Sequence, residues 1–589
     1  MTDHPLLAAS DLPGRWRETD AFRVLDTDFA SDALFLSVWN LWLRSRGRCR
    51  RLDYVALCAP RTAPEISKPF NGGAHPLAEE LSRHWPLALP GFHRVALDEG
   101  RLVLTLVFGN AAQELRLLRA DCDALLVGTN AATLGAANLA RLAKPGAVLA
   151  SSCRDPGWIQ ALNKAGFETL ENHLVTTGVF RTQNRRTARL SPRPLPEQER
   201  AAIVIGAGLS GTSAAAALAK RGWKVSLVER HPAPAQEASG NLAAVFSPML
   251  SKDDGHAARL SRASFFSLKQ ELLALSGSEA PPLWSACGVL QLAKTPKEEQ
   301  LFANIAEQHG YPAEYASFLS REEAGRDIQQ TVAAGGWLFP GGGWLNPASL
   351  CRSRLAAHPG IRQLFGNGVL EIRRGDGLWQ ALGAGESVLA EAPVLVLANA
   401  CEAERLAPRA GLRFKKVRGQ VTHLTSDSLP PLHRVLSRDG YLTPPVEGVC
   451  CLGATYDFDS EIDTPREQSD LSNLERLPQL LPELNPQEVQ RCGSRVGFRS
   501  LTPDRMPVVG PLACPGGSGT SAGNTLNIPS EPGLYALLGL GSRGAVWSTL
   551  AGEILACLLD GEPAPVGVDL LESIDPARFL FRHSAKSGG

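Results

Sequence analysis

The chain has 589 residues, enough for two or three domains with ample cores. Its 44% apolar and 20% charged residues exclude a disordered chain. Sixty Lys and Arg balance sixty Asp and Glu, so there is no global attraction to nucleic acid, and any such binding must come from local patches. The 12 cysteines show no C-x-x-C spacing, which argues against a metal site or a disulfide scaffold and for reduced thiols in the cytosol. MTDHPLLAASDLPGRW, at the start, lacks the apolar core of a signal peptide, and no run of about 18 apolar residues occurs, so no membrane span is expected.

In chain order, the first marked feature is RSRGRCRR, which places Arg44, Arg46, Arg48, Arg50 and Arg51 within eight residues. Short apolar runs follow at Leu52–Leu57, Leu102–Phe108, Asp123–Val127 and Ala147–Ala150, each read as a strand. Leu134–Leu142 reads as a helix between the last two, closed by Lys144-Pro145-Gly146. The alternation predicts a doubly wound α/β domain over residues 1–180. Residues 181–200, RTQNRRTARLSPRPLPEQER, have three prolines and no aromatic residue, and read as a linker. The linker adds Arg181, Arg185, Arg186, Arg189 and Arg193.

A second unit, residues 201–582, opens on AAIVIGAGLSG (Ala201–Gly211), a strand ending in Gly206, Gly208 and Gly211. Ala214–Lys220 reads as helix, and a second strand, Val225–Val228, ends on Glu229. This is the dinucleotide-binding arrangement. The first glycine makes the turn, the second admits a pyrophosphate to the backbone, and the third lets helix and strand pack closely. The phosphates would sit on the helix N-terminus, and Glu229 would accept hydrogen bonds from ribose hydroxyls. Further on, Val394–Asn399 reads as a strand ending beside the cofactor. In Leu534–Leu559 a strand runs through Gly539, Gly541 and Gly544 into an apolar helix. The glycines let a second helix N-terminus approach the same ligand. Residues 583–589 read as a flexible tail.

These three segments resemble the D-amino-acid-oxidase superfamily of FAD-dependent amine oxidases. The resemblance narrows with seven further motifs in order: ASGNLAAVFSPML (Ala238–Leu250), Cys287-Gly288-Val289, GGWLNP (Gly342–Pro347), RGQV (Arg418–Val421), DGYLTP (Asp439–Pro444), Gly453-Ala454 and GSRG (Gly541–Gly544). Together they are similar to the oxidoreductase half of the bifunctional tRNA 5-methylaminomethyl-2-thiouridine biosynthesis proteins. The resemblance implies an FAD site built from Gly206, Gly208, Gly211, Glu229, Arg230, Ser239, Asn241, Gly541, Ser542, Arg543 and Gly544. It implies oxidation of carboxymethylaminomethyl-uridine, at the wobble position of tRNA, to aminomethyl-uridine and glyoxylate. A substituted glycine needs an anion clamp, and Arg499 in GFRSLTPDRMPVVG stands where the superfamily places a carboxylate-binding arginine. Arg505 competes in the same segment. Tyr441 is the second candidate at the substrate, either closing the site or filling the core, and Arg543 faces either the flavin or a phosphate.

By the same resemblance the first domain is of the S-adenosylmethionine-dependent methyltransferase type. Leu89–Asn110 and Leu139–Ser152 follow the pattern, but three cofactor and catalytic positions depart from it. VLDTDFASDALFL (Val24–Leu36) stands where a glycine-rich turn belongs, and no glycine occurs between Gly14 and Gly47. Cys58 and Ala59 follow Leu52–Leu57 in place of an acid, and GTNAA (Gly128–Ala132) replaces an acidic catalytic segment. The domain is therefore expected to lack methyltransferase activity, and S-adenosylmethionine is a cofactor only if it does not. The arginine-rich runs, with Lys415, Lys416 and Arg418, are either solvated faces or the places that meet tRNA phosphates. The partner expected is tRNA with a modified wobble uridine, in the cytoplasm, without metal or membrane, and the oligomeric state stays open. Three other readings remain: a fully bifunctional enzyme, an oxidase of free glycine-type amino acids, and a non-catalytic tRNA-binding flavoprotein.

Overall fold

The computed structural model describes residues 4–29, 32–59, 76–171, 174–182, 195–458, 460–514 and 528–581. Most of the linker, including Arg185, Arg186, Arg189 and Arg193, and the tail lie outside the described residues. The chain divides into two compact units. The first takes in the described residues up to 182 and returns for Cys557–Leu570; the second holds 195–556 and 571–581.

The first unit is built on one sheet of eight strands: β1 (Ala21–Asp26), β2 (Arg51–Cys58), β3 (Gly91–Leu97), β4 (Leu102–Phe108), β5 (Cys122–Val127), β6 (Ala143–Ser151), β7 (Phe167–Glu171) and β8 (Thr176–Phe180). Their order is β3-β4-β2-β1-β5-β6-β8-β7. The five central strands are parallel, and β3, β7 and β8 run antiparallel to their neighbours. Every residue of β4 is buried, as both faces of a central parallel strand must be. Alternate residues feed two cores: Val24, Leu52 and Tyr54 on one side, Leu25, Val55 and Leu57 on the other. The expected helix at Leu134–Leu142 is two pieces, Ala131–Leu134 and Ala136–Leu142, because Gly135 adopts φ +77° between them. The direction of winding reverses between β1 and β5, and ligands of doubly wound sheets bind at the carboxyl ends flanking such a reversal.

The second unit has two principal sheets. One is six-stranded, with β9 (Ala201–Ile205), β10 (Lys224–Glu229), β11 (Arg362–Phe365), β12 (Val394–Leu397), β18 (Val508–Ala513) and β19 (Ser530–Leu538) in the order β11-β10-β9-β12-β19-β18. All but β18 are parallel. The helix α1 (Leu209–Ala219) follows β9, and a second helix, α2 (Gly544–Asp560), follows β19 through the glycines. The other sheet has nine strands and is mostly antiparallel. Its long strand β13 (Lys415–Thr425) lies between β17 (Arg491–Leu501) on one edge and β15 (Val449–Gly453) and β16 (Asp457–Phe458) on the other. The short strand β14 (Tyr441–Leu442) pairs with β15. Among the described residues no helix is long and apolar enough to cross a membrane.

Candidate functional site

The glycine turn between β9 and α1 is fixed by close backbone approach. Gly206 sits at φ +102°, and a Cβ there would lie 2.8 Å from the Ala398 carbonyl oxygen. A Cβ on Gly211 would come within 1.7 Å of the Gly206 carbonyl oxygen, so the first turn of α1 packs directly on the loop. Gly208 differs: among the described residues its Cβ would meet only the Ser239 side chain, whose hydroxyl is at 3.0 Å, so that side of the loop is open. Ser239 Oγ accepts from the Leu209 amide at the helix start (3.1 Å). The Glu229 carboxylate reaches across from the end of β10 and accepts from the Ala207 and His231 amides (2.7 and 3.0 Å). Asn399, just past β12, keeps a buried side-chain oxygen with no partner among the described residues. A glycine cradle, a helix N-terminus and an orphaned buried acceptor together suit a dinucleotide, so the residues present fit FAD.

The second glycine segment closes on the same region. Gly541 lies at φ +55°, Ser542 is exposed, and Gly544 begins α2. Half-buried Arg543 donates to the Ser247 carbonyl (3.0 Å), and desolvation lowers its guanidinium pKa to about 10. Arg230 is exposed and pairs with Glu237 (2.6 Å), and Asn241 is half-buried at the end of the same loop.

The sheet holding β13 and β17 carries Arg499, the residue expected at the substrate. Residues opposite one another share a face, and alternate residues share it too. Arg495, Gly497 and Arg499 of β17 therefore face the same way as Lys415, Val417 and Gly419 of β13 and Phe458 of β16. This face meets the cofactor loop. A Cβ on Gly497 would touch the Ala238 backbone, and Arg495 donates to the carbonyls of Gln236, Glu237 and Gly240 (2.8–2.9 Å). Arg495 thus holds the loop that carries Ser239, a role that no local motif announces.

Four residues nearer the strand's end, the Arg499 guanidinium lies flat over Gly419, whose missing side chain makes the room. It donates one hydrogen bond, to the Thr455 carbonyl (3.1 Å), and stands 5.4 Å from the Tyr456 ring centre. No ion pair with it occurs among the described residues. Desolvation pulls its pKa below the ordinary value, opposed by Tyr441, Tyr456 and Asp457. Tyr441 donates weakly to the Ala243 carbonyl (3.4 Å), and burial raises its phenol pKa. Arg505 is exposed in a turn at φ +61°, away from such company.

Two expected phosphate contacts are corrected. Arg418 is fully buried on the opposite face of β13, where its guanidinium binds Asp457, Ser469, Gln420 and the Ile462 and Thr464 carbonyls. Arg51 is largely buried between Asp53 and Glu562, within the first unit. Arg44, Arg46 and Arg50 are exposed, whereas Arg48 lies over Trp42 (4.3 Å). Lys415 and Lys416 are exposed on opposite faces of β13.

Sequence reasoning also missed Arg354, which is 1% exposed and joins Glu271, Ser548, Thr549 and the Leu209 carbonyl beneath the start of α1. Among the described residues no cluster of His, Cys, Asp and Glu could hold a metal ion.

The fold and the two glycine turns define an FAD-dependent oxidoreductase: residues 201–558 match the family model described as FAD dependent oxidoreductase. Similar solved structures include glycine oxidase from Bacillus cereus ATCC 14579 (22% identity, TM-score 0.52, 62% of this chain and 95% of that one). Iminodiacetate oxidase from Chelativorans sp. BNC1 is another (24%, 0.51, 64% and 98%). At full length, the tRNA 5-methylaminomethyl-2-thiouridine biosynthesis bifunctional protein of Paraburkholderia phytofirmans is 38% identical over 98% of this chain and 92% of its own length. The same-named protein of Burkholderia pseudomallei is 38% identical over 99% and 94%. The chain belongs to this family of bifunctional tRNA-modification proteins.

Proposed function

We propose that the second unit binds FAD and oxidises the carboxymethylaminomethyl group on a wobble uridine of tRNA. The observation that carries this reading is Arg499: a desolvated guanidinium with most of its N–H groups uncommitted, on the sheet face that also meets the cofactor loop. A planar fork in that state takes a carboxylate through two parallel hydrogen bonds. Held there, the substrate presents the methylene between its carboxylate and its amine. FAD, when bound, supplies acceptance of the two electrons that leave with that C–H bond. The amine loses its proton, the resulting substrate imine takes up water, and the products are aminomethyl-uridine and glyoxylate. The Thr455 carbonyl, the guanidinium's hydrogen-bond acceptor, helps keep its orientation, and Tyr441 lies close enough to favour its charged form.

Arg499→Lys tests it. The variant should retain flavin, because the arginine serves the substrate. Its oxidation of modified tRNA should fall by roughly 30- to 1,000-fold, the cost of disrupting a desolvated, hydrogen-bonded charge pair. Oxidation at the parent rate would remove Arg499 from the site.

We further propose that the first unit is a methyltransferase-like scaffold without methyl transfer. Its strand order and its reversal between β1 and β5 support the fold. At that reversal the loops after the two strands are tied to each other. Asp28 accepts from the Thr129 backbone N–H and hydroxyl (2.9 and 2.8 Å), and the Asn130 side-chain Nδ2 donates to the Thr27 carbonyl (2.6 Å). The Asp28 side chain stands within 2.2 Å of where a Cβ on Gly128 would be. Those groups fill the crevice with protein–protein hydrogen bonds where a ligand's would otherwise go. Methyl transfer from S-adenosylmethionine to aminomethyl-uridine tRNA would overturn this part.

A further inference from the structure

On the Arg499 face of the sheet, two aromatic side chains stand in solvent. Tyr456 is 37% exposed and Phe458 50%, and their rings meet edge to face with centres 5.3 Å apart. Among the described residues these two are the aromatic members of the exposed large apolar side chains, and they stand together. They are not loosely held. Phe458 pairs with Val417 in the ladder, and the neighbouring Asp457 is anchored to the fully buried Arg418 (3.0 Å). Arg418, which meets no phosphate, instead fixes the strand that presents the ring.

Cations surround the pair. The Arg499 guanidinium carbon is 5.4 Å from the Tyr456 ring centre, and the Lys415 ammonium is 6.0 Å from that of Phe458. Lys415 shares the face of Phe458 and Arg499, whereas Lys416 lies on the other face over Phe498 (4.3 Å). An exposed aromatic step with an anion clamp on one side and a lysine on the other matches the chemistry of single-stranded nucleic acid, in which flat bases alternate with phosphates. A hydrophobic protein partner would have no use for the flanking charges, and a membrane surface none for a desolvated clamp.

We infer that Tyr456 and Phe458 form a platform on which the unpaired wobble base stacks while its substituent reaches Arg499, with Lys415 taking an adjacent phosphate. The inference rests on the proposed oxidation of tRNA, since that reaction puts an unpaired base within a side chain's length of the clamp.

The test uses the whole flavoprotein and an anticodon stem-loop RNA carrying 5-iodouracil at the wobble position. Long-wavelength irradiation joins that base to an aromatic ring stacked on it, and mass spectrometry locates the adduct. The adduct should map to Tyr456 or Phe458. Phe458→Ala should weaken binding of the same RNA by about 5- to 150-fold, the range for losing one stacked base, with flavin content unchanged. Phe458→Trp should restore binding, which a purely structural role would not allow. An adduct elsewhere, or parent affinity in both Phe458→Ala and Tyr456→Ala, would overturn the platform. Oxidation of modified tRNA by the parent is measured alongside. If it fails while the adduct maps as expected, the reaction assignment falls and the platform stands; if it succeeds while the adduct maps elsewhere, the platform alone falls.

Discussion

Gly419→Ala is the sharpest probe of the clamp, because it leaves every charged group in place. Gly419 lies in β13 opposite Gly497, and its φ is outside the left-handed region, so alanine adds no backbone strain. The new Cβ would stand 2.2 Å from Arg499 Nη1 and 2.6 Å from Cζ, whereas ordinary contact begins near 3.4 Å. The obstacle is the end of a flexible side chain, so the strand keeps its place and the guanidinium slides by about 1 Å or more. A displacement of that size at a positioning group costs on the order of 100-fold in rate, or about 2.7 kcal/mol. The assay is anaerobic mixing with modified tRNA, followed by the loss of flavin absorbance. The variant should carry flavin like the parent and bleach about 100-fold more slowly. In an Arg499→Ala background the same alanine has nothing to displace, so the two losses should be far from additive. Bleaching at the parent rate, or full additivity, would refute the claim that Gly419 sets the position of Arg499.

Two glycines of the cofactor turn should fail differently. Gly211→Ala drives a Cβ into backbone at 1.7 Å, so that chain should not accumulate as folded protein. Gly208→Val meets, among the described residues, only the Ser239 side chain, so that chain should fold and purify colourless; a yellow Gly208→Val protein would show that flavin phosphates do not approach this residue. In the first unit, burial raises the Asp26 carboxyl from 3.8 to about 6, although Asp28 N–H and the Tyr54 hydroxyl donate to it. A carboxyl whose pKa rises on folding contributes its full stability below about pH 4 and loses it as pH climbs through 6. Asp26→Asn should therefore raise the opening free energy of β1 amides at pH 8 by about 1–3 kcal/mol and leave it little changed near pH 4, as read by hydrogen exchange. Equal protection in the two proteins at pH 8 would count against a costly buried carboxylate.

What the sequence disclosed depends on how far apart the cooperating residues are. The turn from Gly206 to Gly211 is legible because its constraints act over six residues, and each glycine answers to a nearby atom. In the first unit the unbroken apolar run Leu102–Phe108 was legible for a similar reason, since it marks a strand buried on both faces. Ala147–Ala150, by contrast, is only the end of Ala143–Ser151, a strand that takes in the Lys144-Pro145-Gly146 segment expected to close the preceding helix. Arg495 gave no such signal, because the loop it holds lies 255 residues earlier. Arg354 likewise reaches Leu209 across 145 residues, and Asp28 reaches Thr129 across 101.

The basic run at Lys415, Lys416 and Arg418 misled for a different reason. Counted along the chain it is one patch, but a strand turns alternate residues to opposite faces. Lys415 joins the aromatic pair, Lys416 lies over Phe498, and Arg418 enters the core, where five hydrogen bonds absorb its charge. Whether an arginine awaits a ligand is therefore decided by its unspent hydrogen bonds. Arg418 and Arg499 are near neighbours in adjacent strands with the same side chain, and only Arg499 retains donors for an anion.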